Sequence, residues 1–192
     1  MASRKFLQKF TAYDLILIAM LSAITIAVKV IAGVLVRLLT GSLGIPGGAL
    51  AGGFYMLWMA LGIAIIDKRG AAFLVSLVQS VVLLITNTPG THGVWTFLTY
   101  LTPAIVVEVV FFIRVKGVNV LHFIFSVMLA NMLGTYGSNL LFFRMSWLPL
   151  LFTLTSAAFS GVIGGFIGYL TYTKVINTGL FRKNIKGDDK DE

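Results

Sequence analysis

The chain has 192 residues, of which 58% are hydrophobic and 11% charged, and its formal net charge is +8. A water-soluble domain of this length needs about twice that charged fraction to coat its surface, so the composition excludes an ordinary globular domain and asks for a bilayer as solvent. The basic residues sit in short clusters between long apolar runs, which excludes a nucleic-acid-binding stripe, and the absence of cysteine excludes disulfides, thiol catalysis and cysteine metal sites.

The first apolar run, 13–36, carries only Asp14 and Lys29. Arg4, Lys5 and Lys9 precede it like the basic segment of a signal peptide. The run is too long for a signal core and no cleavage site closes it, so a retained first helix is expected. Thr11 and Asp14, three residues apart, come close to a capping box at its start. Downstream, the stretches 38–66, 71–107, 117–143 and 145–173 hold no Asp, Glu, Lys or Arg. A spanning helix needs about 20 apolar residues. The stretch 71–107 is long enough for two, with Asn87-Thr88-Pro89-Gly90-Thr91-His92-Gly93 as the turn.

The expected elements are therefore helices over 13–36, 48–66, 71–86, 94–113, 119–142 and 149–174. Pro103 interrupts the fourth and is expected to kink it, whereas Pro149 falls in the first turn of the last, where a missing N–H is harmless. The fold expected is an all-α integral membrane bundle of six transmembrane helices. Residues 1–178 form the membrane domain, and 179–192 form a charged, disordered cytoplasmic tail. Placing both ends inside leaves 12 of the 15 Lys and Arg residues on the cytoplasmic side, with only Lys29, Arg37 and Arg144 in the outer half. The positive-inside bias thus gives an N-in/C-in orientation.

Ala19, Ala23 and Ala27 recur every four residues and share one face of the first helix. Such a stripe lets another helix approach closely, either within the bundle or from a separate protein. Lys29 points about 200° away from Ala27 on ideal helix geometry. If Lys29 faces the bundle interior, the alanines face outward as a docking surface; if it snorkels to the outer interface, the stripe is unassigned. Glu108, in the inner half of the fourth helix, has three readings: a protonated structural acid bonded to a neighbouring helix, a partner for a ligand or cation, or a proton relay. Gln79 of the third helix is its expected hydrogen-bond partner at similar depth.

A captured solute would enter from the outer side. The Gly-rich segment 39–48 reads as a connector or as a lid over the bundle. Asn87, His92 and Trp95 gather at one outer turn, Tyr136 and Asn139 near another, and Tyr55, Trp58 and Tyr100 lie deeper. Asn131 shares a face with Asn139 and needs a partner within hydrocarbon. Together these nine residues are the candidate substrate-binding set, suited to a flat heteroaromatic ligand. Gly161, Gly164, Gly165 and Gly168 form overlapping small-residue spacings that point to close helix packing. Enzyme readings lack residues. The only histidines are His92 and His122, neither placed to serve a buried serine, and there is no HExxH zinc pattern and no GxxxxGK[ST] nucleotide loop. No cofactor or metal is therefore expected.

The alanine series, with Tyr55-Met56-Leu57-Trp58, Lys68-Arg69-Gly70-Ala71-Ala72, Asn87-Thr88-Pro89-Gly90, Glu108-Val109-Val110-Phe111 and the stretch from Gly161 through Thr178-Gly179, resembles the S components of energy-coupling factor (ECF) transporters. Within them the chain is most similar to the YkoE-like thiamin or hydroxymethylpyrimidine group. The resemblance implies a subunit without its own ATPase site that binds a vitamin-type small molecule at the outer face. It also implies partners: a coupling transmembrane subunit, met through Ala19, Ala23 and Ala27, and two ATPase subunits. Thiamin is cationic, yet the outer half offers Lys29, Arg37 and Arg144 and no acid, which weighs mildly toward a neutral or anionic ligand; on the resemblance, thiamin or a thiamin precursor is still the first ligand expected. The alternatives are an S component for another vitamin, a stand-alone ion-coupled carrier using Glu108, and an assembly protein with no small ligand.

Overall fold

The computed structural model describes residues 10–40, 47–86, 93, 95–113 and 117–178. Among them the chain forms α1 (Ala12–Thr40), α2 (Gly47–Ile66), α3 (Ala71–Ile85), α4 (Trp95–Phe112), α5 (Val120–Ser138), a π-helical turn (Asn139–Phe143) and α6 (Trp147–Asn177). Each expected helix has its counterpart, with ends shifted by a few residues. The basic residues 4, 5, 9, 114 and 116, most of the Gly-rich connector and the charged tail fall outside the described residues.

Five of these helices are long and apolar enough to cross a bilayer, spanning Ala12–Val36, Gly47–Ile66, Trp95–Phe112, Val120–Phe143 and Trp147–Asn177. Their outward faces are apolar: Ile31 is 66% exposed and Leu148 and Phe159 are each 73% exposed. A surface of that kind is stable only against lipid, since each helix satisfies its own backbone. The chain is a multi-pass membrane protein. The sixth helix, α3, has 15 residues, about 22 Å at 1.5 Å per residue, against a hydrocarbon core of about 30 Å.

The start of α1 shows the reciprocal cap that its spacing suggests. Thr11 N–H donates to Asp14 Oδ2 at 2.8 Å, and Asp14 N–H donates to Thr11 Oγ1 at 3.3 Å. Asp14 also takes Lys68 Nζ at 2.7 Å, which ties the start of α1 to the turn between α2 and α3. That turn requires left-handed backbone at Gly70, where φ is 94°.

The enclosed element is α2, whose Gly and Ala residues leave room for neighbours on all sides. A Cβ on Gly164 would fall on the backbone of Gly53, and one on Gly165 would sit 2.6 Å from Ile124 Cα. The small-residue series of α6 thus packs inside the bundle, against α2 and α5. Ser160 reinforces the seam, its hydroxyl accepting from Gly53 N–H at 3.1 Å. Asn131 on α5 finds the partners it requires: its Nδ2 donates to Ala49 O at 3.0 Å and to Ala157 O at 2.8 Å, pinning α5 to both α2 and α6.

Candidate functional site

A cavity of about 520 Å³ opens among α1 to α5. It occupies the half of the bundle that contains the end of α1, the start of α2 and the π-helical turn, away from the described ends of the chain. Its walls follow from local sequence. On α1, Gly33 lies one turn beyond Lys29, and on α2 Gly48 and Gly52 lie one turn apart. These small residues withhold side chains where the three elements would otherwise close up. Pro103 on α4 contributes to the wall, and as a proline it cannot donate to the carbonyl of Thr99, another wall residue. A second space of about 220 Å³ between α4 and α5 shares Thr99, Gly134 and Ser138 with the first, so apolar room continues sideways.

Five of the residues singled out in the sequence meet here: Lys29, Tyr55, Gln79, Tyr100 and Asn131. Lys29 enters from α1 and its Nζ stands 4.5 Å from the centroid of the Tyr100 ring, within range of a cation–π attraction. Gln79 is 1% exposed, and neither its Nε2 nor its Oε1 has a partner among the described residues. Asn131 reaches the cavity with its amide nitrogen already committed to two carbonyls.

The remaining candidates lie elsewhere. Trp58 is half-buried and packs against the core beside the cavity, not in it. Trp95 opens α4 and is 53% exposed, and Tyr136 on α5 is 42% exposed. Asn139 is buried at the π-helical turn, where its Oδ1 accepts from Met145 N–H at 2.9 Å and its carbonyl from Arg144 N–H at 2.8 Å, closing the chain toward α6. Asn87 and His92 fall outside the described residues. Sequence reading missed Met56, Thr99, Thr135 and the wall glycines. The glycines late in α1 and early in α2 were the signal available.

Glu108 departs from its expected pairing with Gln79. Its Oε2 accepts from Gly70 N–H at 3.0 Å, and its Oε1 accepts from Ala72 N–H at 2.8 Å and Phe73 N–H at 3.3 Å. The first turn of α3 has no side-chain cap of its own, so a carboxylate from α4 satisfies the orphan donors and meets the positive end of the helix dipole. Gln79 lies about two turns further along α3, beyond the reach of Glu108. Of the three readings left open for Glu108, this geometry is nearest the structural acid, but both oxygens accept and neither donates, unlike the protonated acid expected.

On α1, the small-residue stripe and the lysine take opposite sides. Ala19, Ala23 and Ala27 are exposed, while Ser22 and Thr25 are buried. Ser22 Oγ donates to Val75 O at 3.1 Å, fixing the inward face of α1 against α3. The alanines are therefore not packed inside this bundle.

Comparison with known proteins places these features. The fold matches a structure described as "Crystal structure of an S-component of ECF transporter" with a TM-score of 0.77, covering 91% of this chain and 89% of that one at 17% identity. At that identity the likeness is one of fold. No curated protein matches the sequence. The family described as "ABC-type cobalt transport system, permease component" matches residues 13–133, from the start of α1 into α5. The match takes in α1 to α4 and most of α5, and the chain belongs to that family.

Proposed function

We propose that this protein is the solute-capturing membrane subunit, or S component, of an ECF-type importer in the cell membrane. The observation that carries the proposal is the cavity of about 520 Å³ in the outer half of a bundle that shares its fold with an S component. That volume lies within the range of about 300–1,000 Å³ usual for small-molecule sites. The distribution of Lys and Arg supports an N-in/C-in arrangement of six spans, which turns the cavity to the outside. Helix α3, packed against α1, α2 and α4, then counts as the sixth span.

The exposed series Ala19, Ala23, Ala27 supports docking on a coupling transmembrane subunit, which in turn works with two ATPase subunits. Power for uptake then comes from those partners. The anchoring of Glu108 to the α3 terminus weighs against a stand-alone proton-coupled carrier.

The family description mentions cobalt, and the cavity speaks to that. A bare cobalt ion wants imidazole, carboxylate or thiolate donors. No cluster of three His, Cys, Asp or Glu side chains occurs among the described residues, and the charged group in the wall is an ammonium. An organic solute fits this lining better. Thiamin, the ligand suggested by the resemblance, carries a positive charge that Lys29 opposes; its uncharged pyrimidine precursor meets no such opposition.

Reconstitution separates the alternatives. The lone chain in proteoliposomes is expected to bind a solute without accumulating it, and accumulation is expected only with the coupling subunit, the ATPases and ATP. Accumulation by the lone chain would make it a carrier.

A further inference from the structure

We propose that the cavity takes a singly charged organic acid: a flat molecule with one carboxylate held by Lys29 and a hydrogen-bonding edge held by Gln79. The proposal deepens the solute-capture reading above and rests on it.

Two independent observations lead here. The first is Lys29. Its ammonium group stands in the wall of a mostly apolar cavity against the Tyr100 ring, and no carboxylate pairs with it among the described residues. The ion pair that those residues do form, Asp14 with Lys68, lies at the other end of α1. A cation held within the membrane normally faces an anion or a cavity that admits one. The second is Gln79. A primary amide buried to 1% exposure, with neither its donor nor its acceptor engaged among the described residues, is costly to the fold unless something else completes it. Both residues border the same space, from α1 and α3 respectively.

The chemistry of these groups defines the complement. Lys29 offers three donors and a positive charge, so it recognises a carboxylate through charge-assisted hydrogen bonds. Gln79 offers one carbonyl oxygen and one amide nitrogen, so it pairs with an edge carrying an acceptor next to a donor, as in a lactam, a carboxamide or an amino-substituted nitrogen heterocycle. Tyr55, Met56 and Tyr100 supply the broad apolar surface for the ring, and the space between α4 and α5 supplies room for an apolar extension. The number of charges follows as well. Lys29 is the one cation in the described wall. A phosphomonoester, at about −1.5 to −2, would leave negative charge uncompensated in an apolar setting. A carboxylate matches one for one.

The test uses the full chain purified in detergent, with thermal stabilisation and equilibrium binding measured for matched probes. These are 6-aminonicotinate and 6-aminonicotinamide, biotin and biotinamide, and thiamin as the cation. At least one acid is expected to stabilise the protein and to bind about 30-fold more tightly than its own amide, the worth of a charge-assisted bond. Lys29→Met is expected to abolish that preference and Lys29→Arg to keep most of it, while Gln79→Leu weakens acid and amide alike. Stabilisation by thiamin or by the amides, with none by the acids, would overturn the acid while leaving solute capture standing. So would an unchanged acid preference in Lys29→Met. No stabilisation by any probe would count against both.

Discussion

Removing the Glu108 carboxylate tests the way the bundle is held at the start of α3. In Glu108→Ala the N–H groups of Gly70, Ala72 and Phe73 lose an acceptor, two of them from bonds of 3.0 Å or less. A hydrogen bond to a charged group contributes about 1.5–3 kcal/mol, and a stranded buried donor costs about as much again. The side chain is only half-buried, so water replaces part of the loss and the lower end applies, about 3 kcal/mol in all. Glu108→Gln keeps one oxygen for Ala72 and Phe73 but turns an NH₂ toward the Gly70 N–H, so a loss of about 1–2 kcal/mol is expected. Denaturant unfolding in mixed micelles reads the totals. Hydrogen exchange reads the location, with protection lost in the first turn of α3. Gln79 lies far enough along α3 for the cavity to survive, so binding should persist in folded protein. Unchanged stability and unchanged protection in Glu108→Ala would refute the cap. Intact stability with abolished transport would instead make Glu108 a working group of the transport cycle.

Other substitutions probe separate joints. Gly165→Val places a side chain against the backbone of Ile124, so α5 and α6 cannot close; loss of more than about 3 kcal/mol and aggregation on size exclusion are expected. Asn131→Ala removes the amide that ties α5 to the carbonyls of Ala49 and Ala157 and should lower stability by about 2 kcal/mol. Ala19→Leu with Ala23→Leu falls on an exposed face, so stability and solute binding should hold while co-purification with the coupling subunit is lost. Loss of binding instead would mean that the stripe serves the cavity. Asp14→Asn removes the partner of Lys68, which is about one-third exposed. A double-mutant cycle should return no more than about 1 kcal/mol, falling with added salt.

The sequence was most informative where a single helix decides the outcome. Apolar runs of bilayer length marked the helices, and the three-residue spacing of Thr11 and Asp14 marked a cap that the structure forms in both directions. The angle between Lys29 and the alanine stripe is likewise a property of one helix. Once Lys29 borders the cavity, the exposure of Ala19, Ala23 and Ala27 follows. What depends on the register between helices was not legible. Glu108 and Gln79 sit at comparable depths in a linear reading, yet the fold sets Glu108 against the first turn of α3 and leaves Gln79 to the cavity. Asn131 and Asn139 share a face only if α5 stays α-helical, and the π-helical turn redirects Asn139 to the link with α6. Aromatic residues misled for a related reason: Trp95 and Tyr136 look like pocket walls in composition, but an exposed aromatic on a membrane helix is equally at home beside lipid.

The central claim is that the space among α1 to α5 captures a small molecule, and blocking that space tests it most directly. Gly48 borders the cavity, and a Cβ added there meets no atom of the described residues within 4 Å, so Gly48→Trp can fill the mouth without disturbing a packed seam. Mass spectrometry of compounds released from the purified protein is expected to find one organic solute in near-stoichiometric amount with the wild type and none with Gly48→Trp, at equal thermal stability. The same solute in equal amount on both proteins would place capture elsewhere and contradict the account.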